Sequence, residues 1–380
     1  MQILAFIAGL VVILSVLLDA FETVVLPRRV TRQFRLTTWF YRHTWVPWAR
    51  IGRRIQSRMR RESFLGYFGP LSLIFLLALW ALGLILGFAL LQYASGEHVS
   101  MVGTKITFGV LLYHSGETFF TLGYGDITPS SGLARALAVL EAGMGFAFLG
   151  VVIGYLPTIY SAFSRREIEI SLLDARAGSP PSAAELLARL ATGPQQVVLN
   201  RLLLDWERWA AEVLESHLSY PALSFFRSQH NNQSWLGALT TVLDASALIL
   251  AGVDGIATEQ AKLTFAMARH AAVDLAQVVN ARYDRGAQDR LPAEDLAKLR
   301  QQLAERGVRL REGTEAEQKL EHLRSLYEPY VIAIARNMSI ELPPWLYAER
   351  RKDNWQGGPW DRAIQAKGLG RPVKVVDEHF

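Results

Sequence analysis

Residues Tyr67 to Ala94 form a run without a single charged side chain. Such a run has few outlets, because about 20 apolar residues are enough to cross a bilayer as a helix. Two further stretches qualify. One runs from Met1 to Leu26, uncharged from Ile3 to Leu18, with Asp19 and Glu22 near its end; the other runs from about Leu133 to Phe163 and contains Arg135 and Glu141. The first lacks the basic n-region and cleavage site of a signal peptide, so it is read as a retained span. Composition agrees, with 51% hydrophobic and 20% charged residues and a mean hydropathy of +0.16. These values exclude a disordered chain. The absence of cysteine excludes a disulfide scaffold, a thiolate metal site and a cysteine nucleophile.

Loop charge gives an orientation. Between Arg28 and Arg61 there are eleven arginines and no Asp or Glu. The positive-inside rule places this linker, residues 27–66, in the cytoplasm. The amino terminus is then outside, the second span runs outward, and the third returns to end at Ser164-Arg165-Arg166. The expectation is a multi-pass protein of the inner (plasma) membrane with a cytoplasmic C-terminal half. Trp39, Phe40, Tyr41, Trp45 and Trp48 interleave with the arginines, as in a segment lying among lipid headgroups. Two readings stand: a collar that attracts anionic lipid, and an anchor that only sets topology. A position between two spans argues against nucleic acid, and none is expected as a partner.

The segment between the second and third spans carries the chemistry. Lys105 to Phe120 (KITFGVLLYHSGETFF) reads as a helix too short to cross, hence re-entrant. Thr121-Leu122-Gly123-Tyr124-Gly125-Asp126 follows at once. Irregular backbone at membrane depth survives only where protein buries it or water reaches it. Glycines alternating with larger residues let the chain turn successive carbonyls toward one axis, where they replace the water of a dehydrated cation. The Thr121 hydroxyl adds an oxygen, and the carboxyl end of the short helix favours positive charge in front of it.

These residues resemble the selectivity filter of potassium channels, in which Thr-Val-Gly-Tyr-Gly-Asp is usual. The resemblance covers about Tyr67 to Phe163, as outer helix, pore helix, filter and inner helix of the prokaryotic two-helix pore family, with one extra amino-terminal span. It implies an all-α membrane protein with a tetrameric pore module over 67–164. K+ would be the permeant ion, held at Thr121, Leu122, Gly123, Tyr124 and Gly125, with no organic cofactor. One filter strand cannot enclose an ion, so four copies of the chain are implied. It also implies that Glu117 supports the filter by pairing with Asp126. Leu122 departs from the usual valine, with little consequence because its carbonyl is the ligand. Phe120 stands where threonine is common and is expected to pack behind the filter. Tyr113 and His114 replace a bracing tryptophan pair. His114 is read either as a packed polar residue or as a source of pH sensitivity.

The third span contains Gly143, Gly145, Gly150 and Gly154. The resemblance gives Gly145 the place of the inner-helix hinge. Phe146, Leu149 and Ile153 share a helical face and are expected either to line an apolar cavity that gates by dewetting or to pack on another helix. Pro157 is expected to kink the helix at the gate or end the span. Glu141 should face protein, with a partner on the pore helix of the same or the next chain. No span has an arginine ladder, so strong voltage sensing is not expected.

Residues 165–350 read as a mostly helical cytoplasmic domain, with helical patterns over 183–192, 195–217, 233–252, 257–284, 292–306 and 314–337, and Ser182 as a cap. Glu167 to Asp174 reads as a short strand or as more of the inner helix. Trp235 to Val253 is apolar around Asp244 and reads as a buried core helix rather than a fourth span. Leu320, Leu323, Tyr327, Tyr330 and Ile334 read as a core face rather than a tetramer seam. His217, Tyr220, Arg227, Gln229, His230, Asn231, Asn232, Gln233 and Trp235 form a polar patch that reads as a helix connection or as a ligand pocket. Residues 351–380 are expected to be partly disordered. No nucleotide-binding, cyclic-nucleotide or calcium-binding pattern is present, so a gating ligand stays unnamed. No catalytic motif favours an enzyme. The alternative to a channel is a membrane receptor or scaffold whose pore module does not conduct.

Overall fold

A computed structural model describes residues 1–26, 35–96, 99–101, 106–230, 232–284, 286, 288–346 and 360. The chain divides into two compact units: Met1–Arg165 with Leu214–Arg227, and Arg166–Val213 with Ser228–Phe380.

The first unit contains α1 (Gln2–Ala20), a π-helical turn (Phe21–Val25), α2 (Leu36–Arg53), α3 (Arg58–Gly66), α4 (Phe68–Ala94), β1 (Val99–Met101), α5 (Phe108–Phe119) and β2 (Ile127–Pro129). It also holds the greater part of α6 (Gly132–Ala177) and a 3₁₀ turn (Pro221–Phe225). α1 lies along α4. A Cβ on Gly9 would sit 2.7 Å from the Gly87 carbonyl oxygen, and one on Gly87 would sit 2.5 Å from Ile13 Cγ1. Such close seams are how helices associate in lipid, where burial away from water supplies no drive between them. The far side of α1 leaves Ile3, Ile7, Leu10, Leu14 and Leu18 exposed, at the spacing of one helical face.

Asp19 closes the end of this seam. It is fully buried, and its carboxylate accepts from Trp80 Nε1 at 3.0 Å, the Thr37 backbone N–H at 3.1 Å and the Thr37 hydroxyl at 2.5 Å. An acid at such depth needs donors, and these three fix the start of α2 beside α1 and α4. From there α2 presents aromatic rings inward. Tyr41 stacks on Phe225 (centroids 4.8 Å apart), Trp45 meets Phe68 edge-on (4.8 Å) and Trp48 stacks on Phe64 (4.5 Å). Of the α2 aromatics, Phe40, Tyr41 and Trp45 are buried and Trp39 is exposed. Each buried ring removes about 150–250 Å² from water. Arg42, Arg50, Arg53 and Arg54 are exposed. Arg28 and the linker before Arg35 lie outside the described residues.

α6 runs unbroken from Gly132 to Ala177 with Pro157 inside it. Pro157 therefore does not end the helix. A proline removes one backbone hydrogen bond, and packed neighbours in a membrane protein make that tolerable. Glu167 to Asp174 is helix rather than strand, and the burial of Glu167, Ile170 and Asp174 recurs at helical spacing.

The second unit contains α7 (Ala183–Leu190), α8 (Gln195–Ser219) up to Val213, α9 (Trp235–Gly252), α10 (Glu259–Val278), α11 (Ala293–Glu305), α12 (Thr314–Ser325) and α13 (Glu328–Met338). Ser182 caps α7, its hydroxyl accepting from Glu185 N–H at 3.3 Å. α9 is the axis of this core: every residue from Trp235 to Leu250 is buried, enclosed by α7, α10, α12 and α13. Each buried leucine or valine there contributes about 1.5–3 kcal/mol. Asp244 in its middle is paired with Arg290 at 2.7 Å and accepts from the Tyr327 hydroxyl at 2.5 Å. Burial alone pulls the Arg290 guanidinium down, but the facing Asp244 and Glu328 carboxylates outweigh it and hold it above its ordinary range. Arg290 and Arg324 each lie 5.6 Å from the centre of the Trp345 ring, within cation–π reach. Leu320, Tyr327 and Ile334 are buried, a core face divided between α12 and α13. Of the polar patch, His217, Tyr220 and Arg227 belong to the first unit, and Gln229, His230, Asn232, Gln233 and Trp235 to the second. Asn231 and the tail 351–380, Trp360 apart, lie outside the described residues.

Candidate functional site

The site is built by three helices of the first unit. α5 begins at a cap, with the Thr107 hydroxyl accepting from Val110 N–H at 3.4 Å, and ends at Phe119. It is tied to its neighbours by Ser115. The Ser115 hydroxyl donates to the Ile85 carbonyl of α4 at 2.7 Å and makes a short hydrogen bond to Glu141 Oε1 of α6. Glu141 is fully buried, and its partner is on the pore helix of its own chain. One hydroxyl thus joins outer, pore and inner helices. Sequence reasoning misses Ser115, because a lone serine in an apolar helix carries no signal of its partners.

Gly145 holds the inner helix against the end of α5. A Cβ there would fall 1.8 Å from the Phe119 carbonyl oxygen, whereas Gly143, Gly150 and Gly154 have open space. The glycine in the expected hinge position is thus required by a backbone contact. Phe119 is buried beneath it and packs on Phe148 (centroids 5.7 Å apart). Phe120 is 58% exposed in the single chain, and its ring meets that of Phe119 edge-on at 5.3 Å.

After α5 the chain turns through hydrogen bonds from Thr121 N–H to the Thr118 carbonyl (3.0 Å) and from Leu122 N–H to the Glu117 carbonyl (2.8 Å). Then φ alternates in sign: Thr121 is at +56°, Gly123 at +63° and Gly125 at +78°, with Leu122 and Tyr124 outside the positive region. Positive φ is costly for a β-branched residue and free for glycine. Alternating hands point successive carbonyls to one side of the strand rather than to both. Thr121 through Asp126 are all exposed in the single chain. The loop ends in a ribbon, β2 pairing antiparallel with β1 through Met101 opposite Ile127.

The two support residues are arranged differently from expectation. Glu117 is buried, and its Oε1 lies 3.1 Å from His114 Nδ1 on the same helix. Asp126 is exposed and is hydrogen-bonded by the Tyr113 hydroxyl. The expected Glu117–Asp126 pair is therefore replaced by two pairs, His114–Glu117 and Tyr113–Asp126. Two carboxylates repel unless they share a proton, and a histidine one turn away together with a phenol gives each its own partner. His114 is buried. On α6, Phe146, Leu149 and Ile153 are exposed, so no helix of their own chain covers that face.

Comparison with known proteins agrees with this geometry. A family model described as an ion channel matches residues 74–161, the stretch from α4 through α5 and the loop to α6. An uncharacterized membrane protein of Bacillus subtilis (strain 168), YdjJ, is 24% identical over 237 residues, covering 61% of this chain and 68% of that protein. Protein LctB of Geobacillus stearothermophilus is 33% identical over 90 residues, covering 21% of this chain and 66% of that protein. The chain thus spans about two thirds of the length of each of these relatives. No solved structure matches it. Fold and family match together define an all-α membrane protein with an ion-channel pore module.

Proposed function

We propose that the protein is a potassium-selective channel in which four copies of the chain surround one pore and K+ passes down its gradient. The carbonyls of Thr121, Leu122, Gly123, Tyr124 and Gly125 take the place of the ion's water. The observation that carries this reading is the alternation of φ at Thr121, Gly123 and Gly125 in a loop that its own chain leaves exposed. Four such strands around an axis, with their carbonyls aimed to one side, form stacked rings of oxygen. The exposed face of Phe146, Leu149 and Ile153 then lines the path below the filter, with Gly145 and Pro157 on the helix that gates it. His114, Glu117 and Asp126 support the filter, with Phe120 beside its inner end. The exposed arginines of α2, at the ends of two spans, favour a cytoplasmic linker that meets anionic lipid, which puts the N-terminus outside an inner (plasma) membrane and the second unit in the cytoplasm.

Potassium flux into liposomes holding the purified protein tests the reading, with sodium as control and barium as blocker. Flux of potassium, not sodium, stopped by barium is expected. Leakage of both ions would reject the filter. Gly123→Ala places a Cβ at φ +63° and is expected to abolish flux while the protein still assembles. A Gly123→Ala protein with normal flux and selectivity would remove the filter assignment.

A further inference from the structure

Within the first unit, one short segment comes from far along the chain. Residues 214–227 belong to this unit although the residues on both sides of them, up to Val213 and from Ser228, belong to the second. Four residues seat the segment. Phe225 lies in the ring cluster of Tyr41, Trp45 and Phe68, with centroids 4.8, 5.2 and 5.2 Å away. Phe226 meets Tyr160 at 6.0 Å and Phe163 at 5.7 Å on α6. Tyr220 meets Tyr155 edge-on at 5.7 Å. Arg227 pairs with Glu62 of α3 at 3.4 Å.

The seat is shaped for the segment. A Cβ on Gly69 of α4 would lie 2.8 Å from Phe226 Cδ2 and 3.1 Å from the Phe225 carbonyl oxygen. Leu223 and Phe226 share one apolar cluster with Leu73 of α4 and Tyr155, Ile159 and Ala162 of α6. Tyr155, Ile159 and Ala162 form one helical stripe, and all three are buried. Higher on the same helix Phe146, Leu149 and Ile153 are exposed. The later part of α6 within this unit is therefore covered by a piece of chain that is continuous, at both of its ends, with the second unit.

We infer that Tyr220–Arg227 is a latch: it fastens the later end of the inner helix to α4 and α2, and its engagement and release are how the second unit biases conduction. The part that concerns conduction rests on the channel reading above. A latch of this kind shifts an equilibrium toward whichever pore state its seat fits, and a tenfold bias needs only about 1.4 kcal/mol of difference.

The native chain has no cysteine, so introduced thiols act alone. In a Phe163→Cys/Phe226→Cys protein, a short reversible thiol-to-thiol crosslinker should bridge the pair, as found by mass spectrometry. Potassium flux in liposomes should then change by about tenfold and return on reduction. Failure to bridge, or bridging with unchanged flux in a conducting protein, would overturn the latch. A second arm needs no conduction. The thiol of an Ile159→Cys protein should react slowly with a water-soluble maleimide, and about tenfold faster when Phe226→Ala is added. An equal rate would overturn the latch. Faster labelling in a protein that never passes potassium would overturn the channel reading and leave the latch standing.

Discussion

Helices α6 and α9 are both strongly apolar and have opposite surroundings. Both are long and apolar enough to cross a membrane, yet 11% of the most apolar window of α6 is buried by its own chain and 89% of that of α9. The hydrophobic effect demands that both be covered. α9 is covered by α7, α10, α12 and α13 of its own unit, whereas most of the apolar stretch of α6 is left open by the described residues. The charged residue in each follows the same division. Asp244 of α9 answers to a paired arginine, as a buried charge requires. Glu141 of α6 answers to a serine hydroxyl and, among the described residues, to no cation; hydroxyls commonly bond across helices in lipid in this way.

The most severe way to break this contrast is at Asp244. Asp244→Ala leaves Arg290 without its closest partner, and stranding one member of a buried pair costs about 3–5 kcal/mol. Thermal unfolding of the second unit should move sharply down. A shift no larger than that of a surface substitution would mean that α9 is not a closed core. At α6 the matching substitution is Gly145→Ala. Overpacking costs about 1–3 kcal/mol, and the contact at 1.8 Å is with backbone that cannot turn aside. Assembly and flux should both suffer, while Gly150→Ala, in open space, leaves the fold of the single chain unchanged. A Gly145→Ala protein with native stability would show that the inner helix stands away from α5.

The same division explains what the sequence makes legible. Charge-free runs, the arginine linker and the glycines of the loop are local signals, so the spans, the short α5 and the residues of the loop can be read directly. α7 to α11 are likewise visible in their periodicity, and α9 is told from a span by Asp244 alone. Partner choice is not local. Glu117 has a histidine one turn back and a carboxylate nine positions on, and only the fold shows that His114 takes it. Ser115 and Gly145 look ordinary until α4, α5 and α6 meet. The latch is the extreme case, since Phe225 and Phe226 sit in a helical half and their partners are Tyr41, Phe68 and Phe163. The rings of α2 are a similar case, because an alternation of charge and aromatic does not show which rings find other rings.

A smaller effect tests whether the second unit behaves as an ordinary water-soluble core. Glu185 is bonded to Arg306 at 2.5 Å and Arg189 at 2.6 Å. Burial pushes its carboxyl up, but the two guanidiniums outweigh this and hold it below the usual carboxylate range. A depressed folded value means that the group stabilises above its unfolded pKa of about 4.3, and that this contribution is lost as pH falls through the folded value. Partial exposure screens the pair, so Glu185→Gln should cost less than about 1 kcal/mol at pH 7. The wild-type and variant unfolding midpoints should converge on acidification. A gap that stays constant with pH would show that the link is packing rather than charge.

The smallest expected change in stability is the most informative about α6. Phe146→Ser, Leu149→Ser or Ile153→Ser removes an apolar side chain that nothing in its own chain covers. In detergent, the stability of the folded chain should stay within about 0.5 kcal/mol, as at other exposed sites. Leu243→Ser, on the fully buried α9, should cost several times more, because it loses its burial and leaves a cavity. The flux assay should rank them the other way, with the three α6 variants altering potassium passage by wetting the path below the filter. If the three α6 variants instead weaken the association of the chains without altering flux, the face is a seam between copies. The cavity would then have to be lined by a different stripe of the same helix.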